Sequence, residues 1–221
     1  MMNKLLRKVN SVKYLNTSFP ENYESTEKSY KYIRLTLAEL RANVIYMQTY
    51  EYGGPKVTSF INAANSVSEK INVRKYMKSS IFDCIKEMSD SVKSNASHEN
   101  LINSADQSAK NFEGVSEAKK KMNDKLEKII EGIDETKAKT KKIDELREKV
   151  RETRYNLEKA IQVNKEEEKI EQLKEKFNLE TKEALGKMKD IIFDGGFDSS
   201  MTEFSRILKE FYENAGNSII L

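Results

Sequence analysis

The most basic part of the sequence is the segment from Thr136 to Arg154. It reads TKAKTKKIDELREKVRETR, so more than half of its residues carry a charge, and it contains neither Gly nor Pro. Lysine and arginine side chains bind phosphate and carboxylate groups through charge-assisted hydrogen bonds. The segment therefore predicts a helical surface for an anionic partner. The alternative is a solvated helix face kept soluble by i,i+4 ion pairs such as Glu145–Lys149.

Basic side chains outnumber acidic ones over the whole stretch from residue 137 to residue 165. Near an anionic bilayer each such side chain contributes about 1 kcal/mol of attraction. The basic residues of this stretch are Lys137, Lys139, Lys141, Lys142, Arg147, Lys149, Arg151, Arg154, Lys159 and Lys165.

A second basic group lies in the N-terminal segment, residues 1–19. Its candidate lipid-binding residues are Lys4, Arg7, Lys8 and Lys13, which alternate with Leu5, Leu6, Val9, Val12 and Leu15. An interfacial helix would insert the apolar side chains and place the basic ones among headgroups. A helix packed on the body of the protein and a frayed terminus are the alternatives.

Few residues could support catalysis. His98 is the only histidine and lies in a polar stretch, without partners for a catalytic triad or a metal site. Cys84, the only cysteine, falls on an apolar helical stripe, which favours a core position. Gly53, Gly54 and Pro55 are not followed by the Lys and Ser/Thr of a phosphate-binding loop. We expect no enzyme, no cofactor and no metal.

Nucleic acid is the other anionic partner that basic helices can bind. In this stretch Glu and Asp occur at half the density of Lys and Arg, and neither stacking aromatics nor a known reader motif accompanies the basic residues. We therefore expect no nucleic-acid partner.

The composition indicates a helical protein. Of the 221 residues, 38% are hydrophobic and 34% are charged, with 8 Gly and 2 Pro, a balance typical of long helices and coiled coils. A single cysteine allows no internal disulfide, which favours a reducing, intracellular setting. Because no run of about 18 apolar residues occurs, no span across a bilayer is expected.

Apolar spacing and breakers predict the order of the helices. A first helix begins after Pro20 and stops at Gly53. Shorter helical pieces follow over residues 56–98, one carrying the stripe Ile81, Ile85 and Met88, with Ser97 as a cap for the next helix. A long helix runs over residues 101–163, a reversal follows at 164–168, and a third helix is interrupted at 194–197 and then resumes.

The long helix carries a heptad seam that becomes more polar toward its end. A helix of about 60 residues is roughly 90 Å long, which predicts an elongated protomer. The seam residues are Met122, Leu126, Ile129, Ile133, Thr136, Thr140, Ile143, Arg147, Val150, Arg154, Leu157 and Ile161.

The order of these parts resembles the BAR domain family, of the type without further modules. The resemblance is carried by the basic N-terminus KLLRKVNSVKYL (4–15), the first helix SYKYIRLTLAELRANV (29–44) and NLINSADQSAKNFEGVSEAK (100–119). It continues with RETRYNLEK (151–159) and the last helix, from residue 184 onward. Together these segments cover essentially the whole chain.

The resemblance implies a single helical domain over residues 20–221. Its fold would be an all-α, kinked three-helix antiparallel coiled coil that forms a crescent-shaped homodimer, or pairs with a paralogous BAR protein. The basic residues named above would form its concave, lipid-binding face. The implied dimer interface comprises Leu37, Leu40, Val44, Leu101, Ala105, Phe112, Phe204, Leu208 and Phe211.

The implied function is sensing or shaping the curvature of anionic membranes by a cytoplasmic, peripheral membrane protein, as in endocytosis and vesicle trafficking. A different class also fits the seams. The chain could be a coiled-coil structural or adaptor protein that binds another helical protein.

Overall fold

The computed structural model describes residues 13–52, 56, 59, 80–193 and 196–220. Within these ranges the chain contains helices and no β-strand, so the predicted all-α class is confirmed. A single chain does not test the crescent-shaped homodimer, which stays a prediction. The helices are α1 (Tyr23–Thr49), a 3-10 turn (Tyr50–Tyr52), α2 (Ile81–Asn95), α3 (Glu99–Gln162), α4 (Glu167–Phe193) and α5 (Phe197–Ser218).

The predicted reversal after the long helix is confirmed. Asn164 has a positive φ of 49°, a left-handed conformation that Asn tolerates better than most residues. The N–H of Lys165 donates to the carbonyl oxygen of Ala160 over 3.1 Å. This bond satisfies one of the last carbonyls of α3 and stops the helix.

Helix α3 begins at Glu99, two residues before the predicted start, and its N-cap differs by one residue from the predicted one. The carbonyl oxygen of His98 accepts hydrogen bonds from the N–H groups of Leu101 and Ile102, both over 3.0 Å. His98, rather than Ser97, is therefore the N-cap residue of α3.

The predicted break near the end of the chain is confirmed. Helix α4 ends at Phe193 and α5 begins at Phe197. Gly196 has a φ of +20°, and a Cβ at this position would lie 3.4 Å from the hydroxyl oxygen of Thr136. The positive φ therefore favours glycine here, whereas the space beside α3 would accommodate a Cβ.

The chain divides into two compact units. Unit 1 comprises Met1–Leu37 and Asp134–Phe197, and unit 2 comprises Ala38–Ile133 and Asp198–Leu221. The division at residue 19 into an N-terminal segment and a helical domain stays a prediction.

Unit 1 has a core in which α1, α3 and α4 meet. Phe19, which precedes α1, stacks on Tyr23 with 4.5 Å between ring centroids. The buried core residues are Tyr23, Tyr30, Ile143, Val150, Leu157, Phe177, Ala184 and Met188.

Unit 2 has its own apolar core, formed by α1, α3 and α5. Its buried side chains include Leu40, Val44, Ala109, Val115, Met122, Leu126, Ile129, Ile207 and Phe211. In both units the heptad seam of α3 faces the core, as predicted. The buried seam residues are Met122, Leu126, Ile129, Ile133, Thr140, Ile143, Arg147, Val150 and Leu157.

A buried ion pair fastens the end of α1 to α3 in unit 2. Lys119 is 1% exposed, and its Nζ lies 3.2 Å from Oε1 of Glu51. The same ammonium donates to the carbonyl oxygen of Met47 over 2.8 Å. Burial lowers the pKa of Lys119 and raises that of Glu51, against the attraction between the two groups. The pair therefore holds the α1 terminus at the cost of desolvating both charges.

Two buried tyrosines of unit 1 differ in how their hydroxyl groups are satisfied. Burial raises the pKa of both Tyr23 and Tyr30 to about 12. Tyr30 donates to the carbonyl oxygen of Thr140 over 3.0 Å. The Tyr23 hydroxyl has no hydrogen-bond partner among the residues that the structure describes.

This difference predicts opposite effects of the same substitution. Tyr30→Phe should lower the free energy of unfolding by about 1 kcal/mol, because it removes the hydrogen bonds of a buried hydroxyl to the Thr140 carbonyl and the Asp144 carboxylate. Tyr23→Phe should be neutral or slightly stabilising, because it removes a buried hydroxyl without a partner. Urea denaturation measures both values, and equal losses for the two variants would contradict the assignment.

Candidate interaction surface of unit 1

The basic stretch of α3 separates into arginines that face the protein and lysines that face solvent. Arg147 is only 5% exposed although it occupies a seam position. Its guanidinium forms ion pairs with Glu27 and Asp144 and lies 5.3 Å from the centroid of the Tyr30 ring. Burial lowers the pKa of Arg147, but its hydrogen bonds to Glu27 and Asp144 outweigh that effect and raise it.

Arg151 belongs to the same network. It forms ion pairs with Glu27 and with Glu148 of its own helix. Burial alone would raise the pKa of Glu27, but its hydrogen bond to Arg147 and the charges of Arg147 and Arg151 lower it. One carboxylate of α1 therefore binds two arginines of α3.

Arg154 holds a segment that precedes α1, which we name the N-terminal strap (residues 13–19). Its guanidinium donates to the carbonyl oxygen of Thr17 over 2.7 Å. It also lies 4.3 Å from the ring centroids of Tyr14 and Phe19, a cation–π arrangement. The three predicted lipid-binding arginines of α3 thus contact other residues of the same chain.

Glu158 is the main anchor of the strap. It is fully buried and accepts hydrogen bonds from the N–H of Leu15 (3.1 Å), the N–H of Asn16 (3.2 Å) and the hydroxyl of Thr17 (2.8 Å). Burial would raise the pKa of Glu158, but these hydrogen bonds lower it. Sequence reasoning counted this residue only as a negative charge, and no spacing rule identifies its partners, which lie more than 140 residues away.

The strap is not helical. Residues 13–20 contain bends and coil, Lys13 is exposed, and Leu15 is 79% exposed. The Lys13 carbonyl oxygen accepts a hydrogen bond from Gln162 over 3.0 Å. The other predicted lipid-binding residues of this end, Lys4, Arg7 and Lys8, lie outside the described residues.

The lysines of the stretch are exposed. None of them forms an ion pair with a described residue, so the expected pair Glu145–Lys149 is not present. A lysine keeps a compact, hydrated charge on a flexible stem, so leaving it in water costs nothing. These residues are Lys137, Lys139, Lys141, Lys142, Lys149, Lys159 and Lys165.

A groove between α3 and α4 collects some of these lysines around an apolar floor. Its volume is about 500 Å³, and Ile143, Leu146 and Ile191 form the floor. The rim carries both signs of charge, and none of the rim residues forms an ion pair with a described residue. The rim consists of Lys139, Lys142, Lys149 and Lys187 with Glu145, Glu183 and Asp190.

Most of the residues predicted for a dimer interface are enclosed within the chain. Leu37, Leu40, Val44, Ala105 and Phe211 are buried by other parts of the same protomer. Three further residues are half-buried, namely Phe112, Phe204 and Leu208. Leu101 alone in this set is strongly exposed, at 50%.

The structure places the two residues that the sequence singled out for possible catalysis, and it leaves the expectation of no enzyme a prediction. His98 is exposed, Cys84 is half-buried, and no cluster of three or more His, Cys, Asp or Glu among these residues could hold a metal ion. None of the described helices is long and apolar enough to cross a membrane.

The separation of arginines and lysines predicts unequal effects on stability. Arg147→Met should lower the free energy of unfolding by about 3 kcal/mol, because it removes the buried cation that binds both Glu27 and Asp144. The double variant Lys141→Met/Lys142→Met removes more charge but should change stability by less than about 0.5 kcal/mol. Urea denaturation of both variants checks the difference, and similar losses would mean that Arg147 has no structural role.

No family model matches the chain. Three curated relatives align with nearly its whole length, each named "Spore wall protein 12". The protein of Enterocytozoon bieneusi is 28% identical over 96% of this chain and 94% of its own length. The protein of Nosema bombycis is 24% identical over 96% of this chain and 94% of its own length. The protein of Encephalitozoon cuniculi is 23% identical over 96% of this chain and 92% of its own length.

These relatives overturn several expectations drawn from the sequence. The identification with the BAR domain family is wrong, and so are membrane-curvature sensing, vesicle trafficking and a cytoplasmic, peripheral membrane location. The physical reason is that heptads, basic helix faces and glycine breaks occur in unrelated helical proteins. Lipid binding by individual basic residues is not tested and stays a prediction.

Proposed function

We propose that the chain is a structural component of a spore wall, which acts by binding another helical protein and not by catalysis. The observation that carries the proposal is the similarity to proteins named for the spore wall. It extends over 96% of this chain and at least 92% of each relative. A match of that extent reflects the whole arrangement of helices and not one generic helical segment.

The groove between α3 and α4 is the surface that fits such a partner. Its floor of Ile143, Leu146 and Ile191 offers an apolar strip in unit 1. A helix with an apolar face could bury its side chains there, as helices do in hydrophobic grooves. The burial of apolar area would supply most of the affinity.

The rim of the groove would determine which helix binds. In coiled coils, charged residues beside the apolar seam select the partner and its orientation. Lys142, Lys149 and Glu183 lie in this flanking position and are not engaged by the protomer. The partner should therefore be an amphipathic helix whose flanking positions carry carboxylates opposite the lysines and a basic residue opposite Glu183.

The buried charged residues form contacts that stabilise the fold, which supports a role without catalysis. Arg147, Glu158, Lys119 and Glu51 are deeply buried charged groups, and each contacts groups that hold helices or the strap in place. None of them lines the groove.

The location is tested in spores of the source organism. Antibodies against the purified protein, detected by immunogold electron microscopy, should label the spore wall. Spores treated with antibody depleted on the same protein provide the control. Label confined to internal membranes would contradict the proposal.

The groove is tested by matched charge reversals. The variant Lys142→Glu/Lys149→Glu should bind to isolated spore walls at least about threefold more weakly than the unmodified protein, since it reverses two rim charges. The control Lys159→Glu/Lys165→Glu makes the same charge change on exposed residues outside the groove and should bind normally. Binding of fluorescently labelled protein measures both.

Two results would count against the groove. If both variants lost binding equally, general charge and not the groove would govern attachment. If neither lost binding, the wall partner would bind elsewhere on the chain.

A further inference from the structure

Helix α2 packs on α3 with its polar side, which is unusual for an amphipathic helix. Ser89 is 4% exposed, and its hydroxyl donates to the hydroxyl of Ser108 over 3.0 Å. Lys86 forms an ion pair with Glu113 over 3.1 Å. These contacts bury the polar face of α2 against α3, although the polar face of an amphipathic helix normally faces water.

Further contacts extend this polar interface along both helices. Lys93 forms an ion pair with Asp106. The Ser116 hydroxyl donates to Asp83, which also completes a capping box with Ser80 at the start of α2. The position of α2 on α3 is therefore set by hydrogen bonds and charges, which leave its apolar stripe unused.

The apolar stripe of α2 faces solvent. Ile81 is 53% exposed, Met88 is 61% exposed and Val92 is 36% exposed, while Ile85 between them is half-buried. Leu101, in the first turn of α3, is also 50% exposed. Single exposed apolar side chains are common on protein surfaces, but a contiguous apolar patch usually marks an interaction site.

We infer that this stripe binds the same stripe of a second copy of the chain, in antiparallel orientation. The stripe residues follow one another at spacings of four, three and four residues. This order is the same in both directions, so an antiparallel copy places Ile81 opposite Val92 and Ile85 opposite Met88. Such self-matching is the requirement for a two-fold symmetric interface.

The charges of α2 are compatible with pairing to itself. If the four stripe residues take the a and d positions of a heptad, the flanking e and g positions are Phe82, Cys84, Ser89 and Ser91, of which Ser89 is already buried against α3. None of these carries a charge, so two copies meet without repulsion. Every charged residue of α2, from Asp83 to Lys93, falls at b, c or f, away from the interface.

Uncharged flanks also argue for a second copy over a different helical partner. Helices that must choose a foreign partner use charges at e and g to do so. The groove of unit 1 has such charges and α2 does not. The antiparallel arrangement is also favoured electrostatically, because the positive N-terminal end of each helix dipole lies beside the negative C-terminal end of the other.

Sedimentation equilibrium over a concentration series tests the inference with the full chain. The unmodified protein should form a reversible dimer, and Met88→Glu should weaken self-association by about tenfold or more, because it places a carboxylate in the apolar contact. Ser94→Glu adds the same charge at a c position of the same helix and should dimerise normally.

Disulfide trapping tests the orientation. In the antiparallel pair, Cys84 of one copy lies beside Ser91 of the other, so Ser91→Cys should form a covalent dimer on mild oxidation. Asp90→Cys, one residue away and on the outer face, should not. Within one helix, residues seven apart are about 10 Å apart along the axis, too far for a disulfide, so a crosslink must join two chains.

Each other outcome would overturn the inference. A monomer at all concentrations would mean that a copy of this chain does not cover the stripe. Dimerisation that survives Met88→Glu would assign it to another surface. Loss of helical circular dichroism in dilute Met88→Glu, with Ser94→Glu intact, would show that the same chain covers the stripe.

Discussion

The structure of unit 1 depends on a guanidinium placed where a coiled coil would normally have an apolar side chain. Arg147 occupies a seam position of α3 and is almost completely buried. An isolated buried charge would be prohibitively costly, so the arginine is retained only because Glu27 and Asp144 neutralise it and the Tyr30 ring covers one face. The register of α1 against α3 follows from this requirement, since only one alignment brings all three groups together.

Much of the helical architecture could be predicted because it depends on local rules. The seam from Met122 to Leu157, the turn at Asn164 and the break before Phe197 each follow from short-range spacing or from backbone preferences. The partners of Glu158 could not be predicted in this way. They are backbone N–H groups of the strap, which any sequence would supply, and polar side chains such as Thr17 that are too common to indicate one distant carboxylate.

The amino-acid composition of the basic stretch does not reveal which of its residues are buried and which are exposed. In sequence, Arg147 and Lys149 are two members of one positive run, yet one is buried in an ion-pair network and the other lies on the rim of a groove. Arginine suits the first position because its fork of donors can bind two carboxylates together. A family resemblance based on the order of helices and basic segments could not distinguish these uses, and the relatives whose names refer to the spore wall do not support it.

The attachment of the strap has a consequence for the order in which unit 1 assembles. The contact between Thr17 and Glu158 joins residues 141 positions apart, whereas the contact between Thr153 and Glu180, across the turn from α3 to α4, spans only 27. Closing the longer loop loses more chain entropy before any contact compensates for it. We therefore expect the hairpin of α3 and α4 to form before the strap closes over it.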